Sequence, residues 1–155
     1  MGYGQLAYKL RKDARVVCME KTNFRYMQEA DVPEKLDLAC ADVSFISLKL
    51  MFPVAARLLK AEGSFVCLIK PQFEAGREQV GKNGIIKDAA VHREVIHNVL
   101  GYARENGLYA KGLDFSPVTG AKGNIEFLLY LTKDKNAETA PDIDSVVAAA
   151  HSELL

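Results

Sequence analysis

The feature that most restricts this chain is a set of short apolar runs alternating with helical patterns. Ser64–Lys70 is nearly all apolar and too short for a buried helix, so it reads as a buried strand. Arg15–Glu20 and Leu36–Val43 read as further short strands, Leu108–Val118 as a strand region and Ile125–Thr132 as a strong strand. Periodic stretches lie between them. Leu48–Lys60 repeats Leu48, Met51, Phe52, Ala55 and Leu59 on one helix face, with Pro53 in or near its first turn and Glu62-Gly63 closing it. Ala89–Asn106 carries Val91, Val95, Ile96, Val99, Leu100 and Ala103 on one side and stops at Gly107. Asp142–Leu155 is amphipathic through Ile143, Val146, Val147, Ala150 and Leu154, with Asp142 as N-cap. Gln5–Asp13 is a short basic helix or turn, and Asn23–Ala30 a helical turn.

Strands alternating with helices imply an α/β domain whose sheet is mostly parallel and covered on both faces. The last two strands are joined too tightly for a crossover, so one of them runs antiparallel. The chain has 155 residues, which suits one domain. Formal net charge is zero but unevenly spread: after Lys133 there are five acids and one base, leaving −4 in the tail and +4 in the body. A mildly basic body permits an anionic partner without demanding one. Cys18, Cys40 and Cys67 sit in apolar runs and read as small buried hydrophobes in a reducing compartment. His92 and His97 are spaced for different helix faces and read as packing or surface histidines. With no transmembrane-length run and no signal peptide, a cytoplasmic protein is expected.

In open α/β sheets, ligands bind at the carboxyl ends of the strands. Asp42 ends one strand and Lys70 the next, while Glu126 opens the antiparallel one, so the three converge on one edge. Asp42 alone reads as a helix cap, and Lys70 before a proline equally as a loop lysine. A buried Glu126 needs a partner, and an acid–lysine–acid cluster supplies one. Residues 74–88 form a long polar loop with Gly76, Gly81 and Gly84. Its Arg77, Lys82 and Lys87 are candidate phosphate contacts; Glu74, Glu78 and Asp88 nearly balance them, which suits a mobile polar loop equally well.

Five motifs carry a resemblance. Gly-Tyr-Gly-Gln-Leu (2–6), Asp-Val-Ser-Phe-Ile-Ser-Leu (42–48), Lys-Pro-Gln-Phe-Glu-Ala-Gly-Arg-Glu (70–78), Val-His-Arg-Glu-Val (91–95) and Gly-Asn-Ile-Glu-Phe-Leu-Leu (123–129) resemble the TlyA (hemolysin A) family, over residues 2 to about 133. That resemblance implies a Rossmann-like, FtsJ-like fold that uses S-adenosylmethionine to methylate ribosomal RNA, usually at cytidine 2′-hydroxyls. By motif, Asp42, Lys70 and Glu126 match the last three members of a Lys-Asp-Lys-Glu tetrad. Thr22, Asn23 and Asp42 fall where related folds hold the cofactor. The implied sheet order is three, two, one, four, five, seven, six, with strands three to seven present here. The first β-α-β unit, its glycine-rich cofactor loop, the first lysine and a small S4-type domain would precede residue 1. Met1 stands where the family carries Val, which suggests a misplaced gene start or a truncation.

These features divide the chain into a methyltransferase portion, residues 1–133, and an acidic linker with an amphipathic helix, residues 134–155. The leading expectation is a ribosomal RNA methyltransferase, active at full length and inactive as these residues alone, with a bare sheet edge that invites self-association. A non-catalytic binding or scaffold remnant is the alternative. A membrane-active hemolysin is the weakest reading, because the amphipathic tail is acidic.

Overall fold

The computed structural model describes residues 3–155; Met1 and Gly2, the start of the Gly-Tyr-Gly-Gln run, lie outside the described residues. A short helix α1 (Tyr8–Lys12) and two single 3-10 turns precede strand β1 (Leu36–Ala41). Then come α2 (Phe52–Leu58), β2 (Leu59–Ile69), α3 (Pro71–Glu74), α4 (Ala89–Glu105), β3 (Tyr109–Phe115), β4 (Phe127–Thr132) and α5 (Ile143–Leu154). The four strands form one sheet in the order β1-β2-β4-β3. Strand β2 is parallel to β1 and antiparallel to β4, and β3 is antiparallel to β4. Three strands therefore point one way and β4 alone points back, in the order the resemblance implies for strands four, five, seven and six.

The helices form where capping chemistry and periodicity agree. The Asp88 carboxylate accepts the Ala90 N–H at 2.8 Å and starts α4. Gly107, at φ +70°, ends it in the left-handed turn that a side chain disfavours. Asp142 starts α5 by accepting from Ser145 N–H at 3.0 Å. Phe52, Phe65, Ile96, Phe127, Leu131 and Val147 are fully buried in one core, which joins α2, α4 and α5 to one face of the sheet.

Several expectations fail here. Arg15–Glu20 is not a strand: among the described residues, the backbone of Val17, Cys18 and Met19 makes no hydrogen bond, and an extended segment without a neighbour has no ladder to hold it. The helix after β1 ends at Leu58, and Glu62-Gly63 lie inside β2 instead of closing it. Leu59 turns straight into the sheet, so helix and strand share no loop. The register passes from Leu36↔Leu59 to Leu38↔Ser64, two residues against five, so residues 60–63 bulge from the ladder. Lys133 seals the junction by donating to the carbonyls of Ala56 at 2.9 Å and Leu59 at 3.0 Å.

The sheet is covered on one face, not both. Phe65, Cys67, Ile69, Leu129 and Leu131 are buried, whereas Leu38, Leu128 and Tyr130 on the other face are 61%, 37% and 36% exposed. All three helices that cover the sheet pack on the same side, so alternation of more and less buried residues along Phe65–Ile69 and Phe127–Leu131 replaces the two-sided burial expected. Cys67 is buried, but Cys40 on the open side of β1 and Cys18 in the unpaired segment are exposed, so the uniform burial of the cysteines fails with it. His92 is fully buried as a packing residue, and His97 is exposed.

Candidate functional site

Asp42 follows the last residue of β1 and Lys70 the last residue of β2, and Glu126 immediately precedes β4. The register pairs Ala41 with Cys67 and Ile69 with Phe127, so all three lie at one edge of the sheet. Lys70 Nζ lies 2.5 Å from Asp42 Oδ1, with side chains 12% and 69% exposed. It also donates to Ser44 Oγ at 3.3 Å. Glu126 is 7% exposed and accepts from Gln72 Nε2 at 3.2 Å. The structure thus brings Asp42 and Lys70 into direct contact, and it sets Glu126 on the same edge but bonded to Gln72.

The turn α3 organises this edge. Pro71 fixes its first residue, and Lys70 before it is extended at φ −113°, as a residue preceding proline must be. Within one turn Gln72 reaches Glu126, and the Phe73 ring lies 4.8 Å from that of Phe45. Glu74 accepts from Ser47 Oγ at 2.7 Å and Leu48 N–H at 2.8 Å, tying the loop after β1 to the end of β2. Burial pushes the Glu74 carboxyl above the usual carboxylate range, and those two bonds pull part of the way back. Phe45 is 89% exposed and held at φ +61°, a backbone region costly for a bulky residue. Ser44, Phe45, Ser47 and Gln72 were not singled out from the sequence, and Glu74 only as a loop acid, although all stand in the two motifs that carry Asp42 and Lys70.

Asn23 and Asp42 line one cavity of about 560 Å³ together with Gln5, Phe24, Val43 and Met51. Thr22 faces a neighbouring hollow of about 420 Å³, which Asn23 also lines. Asn23 in addition caps a 3-10 turn by accepting from Arg25 N–H at 3.1 Å, and Thr22 Oγ1 donates to the Glu20 carbonyl at 3.1 Å. Arg77, Lys82 and Lys87 are exposed, and among the described residues none is in an ion pair. The segment between them is pinned. Asn124 accepts from Ile86 N–H at 3.0 Å and donates to the Gly84 carbonyl at 2.9 Å, and Lys122 donates to the Asn83 carbonyl at 2.8 Å. His92 Nε2 lies 3.2 Å from the Ile86 carbonyl and its Nδ1 2.8 Å from His151 Nε2 on α5. Burial first, then the His151 charge, push the His92 imidazole down to about 4, against the opposing pull of the Ile86 carbonyl and Asp88.

The sheet edge thus carries a lysine–carboxylate pair across adjacent parallel strand ends, with one antiparallel strand bringing a second acid to the same edge. The family model for FtsJ-like methyltransferases matches residues 1–133, and the chain belongs to that family. Its relatives include a Bacillus subtilis (strain 168) protein provisionally named rRNA methyltransferase YqxC, 48% identical over 99% of this chain and 57% of that protein. The 16S/23S rRNA (cytidine-2′-O)-methyltransferase TlyA of Mycobacterium tuberculosis is 38% identical over 99% of this chain and 58% of its own length. A solved structure from Streptococcus thermophilus, provisionally titled a hemolysin, superposes with a TM-score of 0.91 at 48% identity, covering 98% of this chain and 56% of that one. The chain therefore spans a little over half the length of these relatives. Among the described residues no helix is long and apolar enough to cross a membrane.

Proposed function

We propose that this chain is the catalytic portion of an enzyme that methylates the 2′-hydroxyl of a ribosomal RNA ribose, probed most directly at cytidine. The observation that carries the reading is the Lys70–Asp42 pair at 2.5 Å on the ligand-binding edge of the sheet. S-adenosylmethionine would supply an activated methyl group when bound. The residues fit one end of such a cofactor: the Asn23–Asp42 cavity has apolar walls in Phe24, Val43 and Met51 and polar groups at its rim. Thr22, Asn23 and Asp42 are its proposed holders. Among the described residues no strand followed by a glycine-rich turn and helix lies ahead of β1.

A ribose hydroxyl must lose its proton as its oxygen bonds the methyl carbon and the carbon–sulfur bond breaks. Lys70 Nζ, 2.5 Å from Asp42 Oδ1 and 3.3 Å from Ser44 Oγ, suits the group that orients the hydroxyl, with Asp42 and Ser44 fixing its amine. Glu126 completes the edge. The exposed Phe45 ring, braced by Phe73, offers a stacking face for the base of the target nucleotide. Arg77, Lys82 and Lys87 are proposed phosphate contacts.

In the full-length enzyme, Lys70→Ala is expected to lower 2′-O-methylation of ribosomal particles at least about a hundredfold. Cofactor binding should stay intact. Near-normal rates in that variant would remove Lys70 from the reaction. These 155 residues alone are proposed to be inactive, because the Arg15–Glu20 segment is unpaired.

A further inference from the structure

We infer that Gln72 is a positioning residue for methyl transfer: it fixes the Glu126 carboxylate at the cleft and keeps it off Lys70. The inference rests on the methyltransferase reading above. Glu126 is 7% exposed, and the amide of Gln72 provides its one side-chain hydrogen bond among the described residues. A carboxylate offers about four acceptor positions, so a buried one with a single donor depends heavily on that donor. From the other side the backbone crowds it. A Cβ on Gly120 would stand 1.9 Å from Glu126 Oε1, so the carboxylate lies against the Gly120 backbone in space that only glycine leaves open.

The opposite direction is open in charge but closed in fact. Lys70 and Glu126 are the next pair along the β2–β4 register after Ile69↔Phe127, and they carry opposite charges. Even so, no ion pair within 4.0 Å joins them, and Lys70 goes to Asp42 and Ser44 instead. Gln72 holds the carboxylate that would otherwise close on the lysine. Its own Oε1 is buried and has no hydrogen-bond partner. A side chain present only to fill space would be better as methionine or leucine, since an unpartnered buried carbonyl is costly. The amide is used at its nitrogen end, and reversing it would set oxygen against carboxylate. Were Glu126 to pair with Lys70, the amine would be clamped between two acids and lose the freedom to face a ribose hydroxyl.

Three measurements test this. In the full-length enzyme, Gln72→Met keeps the length and removes the donor; kcat is expected to fall about tenfold or more, with KM for ribosomal particles and cofactor affinity within about twofold. Gln72→Glu keeps the shape but donates only when protonated, so its deficit should shrink as pH falls while that of Gln72→Met does not. A crystal structure of this chain carrying Gln72→Met should show the Glu126 carboxylate moved onto Lys70. Wild-type kcat in Gln72→Met, or a Glu126 that stays in place in the crystal, overturns the inference. If Lys70→Ala also keeps its activity, the methyltransferase reading fails, and the position of Glu126 in the crystal still decides the role of Gln72.

Discussion

Residues 3–35 and 36–155 obey different rules. In the first segment Met27 is the one buried side chain, and Tyr3, Tyr8, Val17 and Tyr26 are each more than two-thirds exposed. It is held by polar clips: Gly4 N–H to Glu20 at 3.0 Å, an Arg11–Glu20 ion pair, and Arg57 to the Met27 carbonyl at 2.5 Å. In the second segment every strand finds a partner and three helices close over one core. Arg15–Glu20 has four apolar residues of six, close to the five of six in β1. What differs is the neighbour. Apolar composition nominates a strand, and a paired edge makes one.

The largest effect expected from this contrast is an absence. Titration calorimetry of the 155-residue chain with S-adenosylmethionine should show no saturable binding, because the segment that would border the cofactor is unpaired. Sedimentation should show self-association through the free edge of β1, where Leu38 is 61% exposed. A monomer that binds the cofactor at micromolar concentration would break the comparison. Next, Phe52→Ala, at a fully buried site, should cost about 3–5 kcal/mol in chemical denaturation. Val17→Ala in the first segment should stay within about 0.5 kcal/mol.

Acid should act on the second segment too. His92 titrates near 4 when folded and near 6.5 when unfolded, so the unfolded chain takes up the proton first. Its contribution is complete above pH 6.5 and is lost as pH falls toward 4, at most about 3 kcal/mol. Denaturation midpoints of wild type and His92→Gln, measured from pH 7 to 4, should converge; parallel curves would exclude His92 as the cause. The smallest of the sizeable effects is at a helix start: Asp88→Ala should cost about 1 kcal/mol, a cap lost without a cavity.

What was legible in the sequence follows the same division. Helices α4 and α5 were readable to within a residue or two because both periodicity and end signals were written locally, the latter in Gly107 and Asp142. The convergence of Asp42, Lys70 and Glu126 on one edge was readable because strand direction fixes which ends meet. The start of β2 was not, since Glu62-Gly63 carries the same signal whether it ends a helix or bulges from a strand. Nor was the open face, which depends on where α2, α4 and α5 settle relative to the sheet. The roles of Gln72 and Glu74 escaped for a related reason. Their partners are Glu126, Ser47 and Leu48, distant in sequence, and no local pattern announces such bonds.

The placement of β4 bears on how the chain assembles. It is the last strand in sequence, yet it lies between β2 and β3. Strands β3 and β4 are near neighbours along the chain and can zip together early, whereas β2 must wait for a partner as distant in sequence as Thr132 is from Ser64. Until then β2, carrying Phe65, Cys67 and Ile69, presents an apolar margin to other molecules. During synthesis the acid–lysine edge stays incomplete until Glu126 has left the ribosome, so the candidate site is among the last features to take shape.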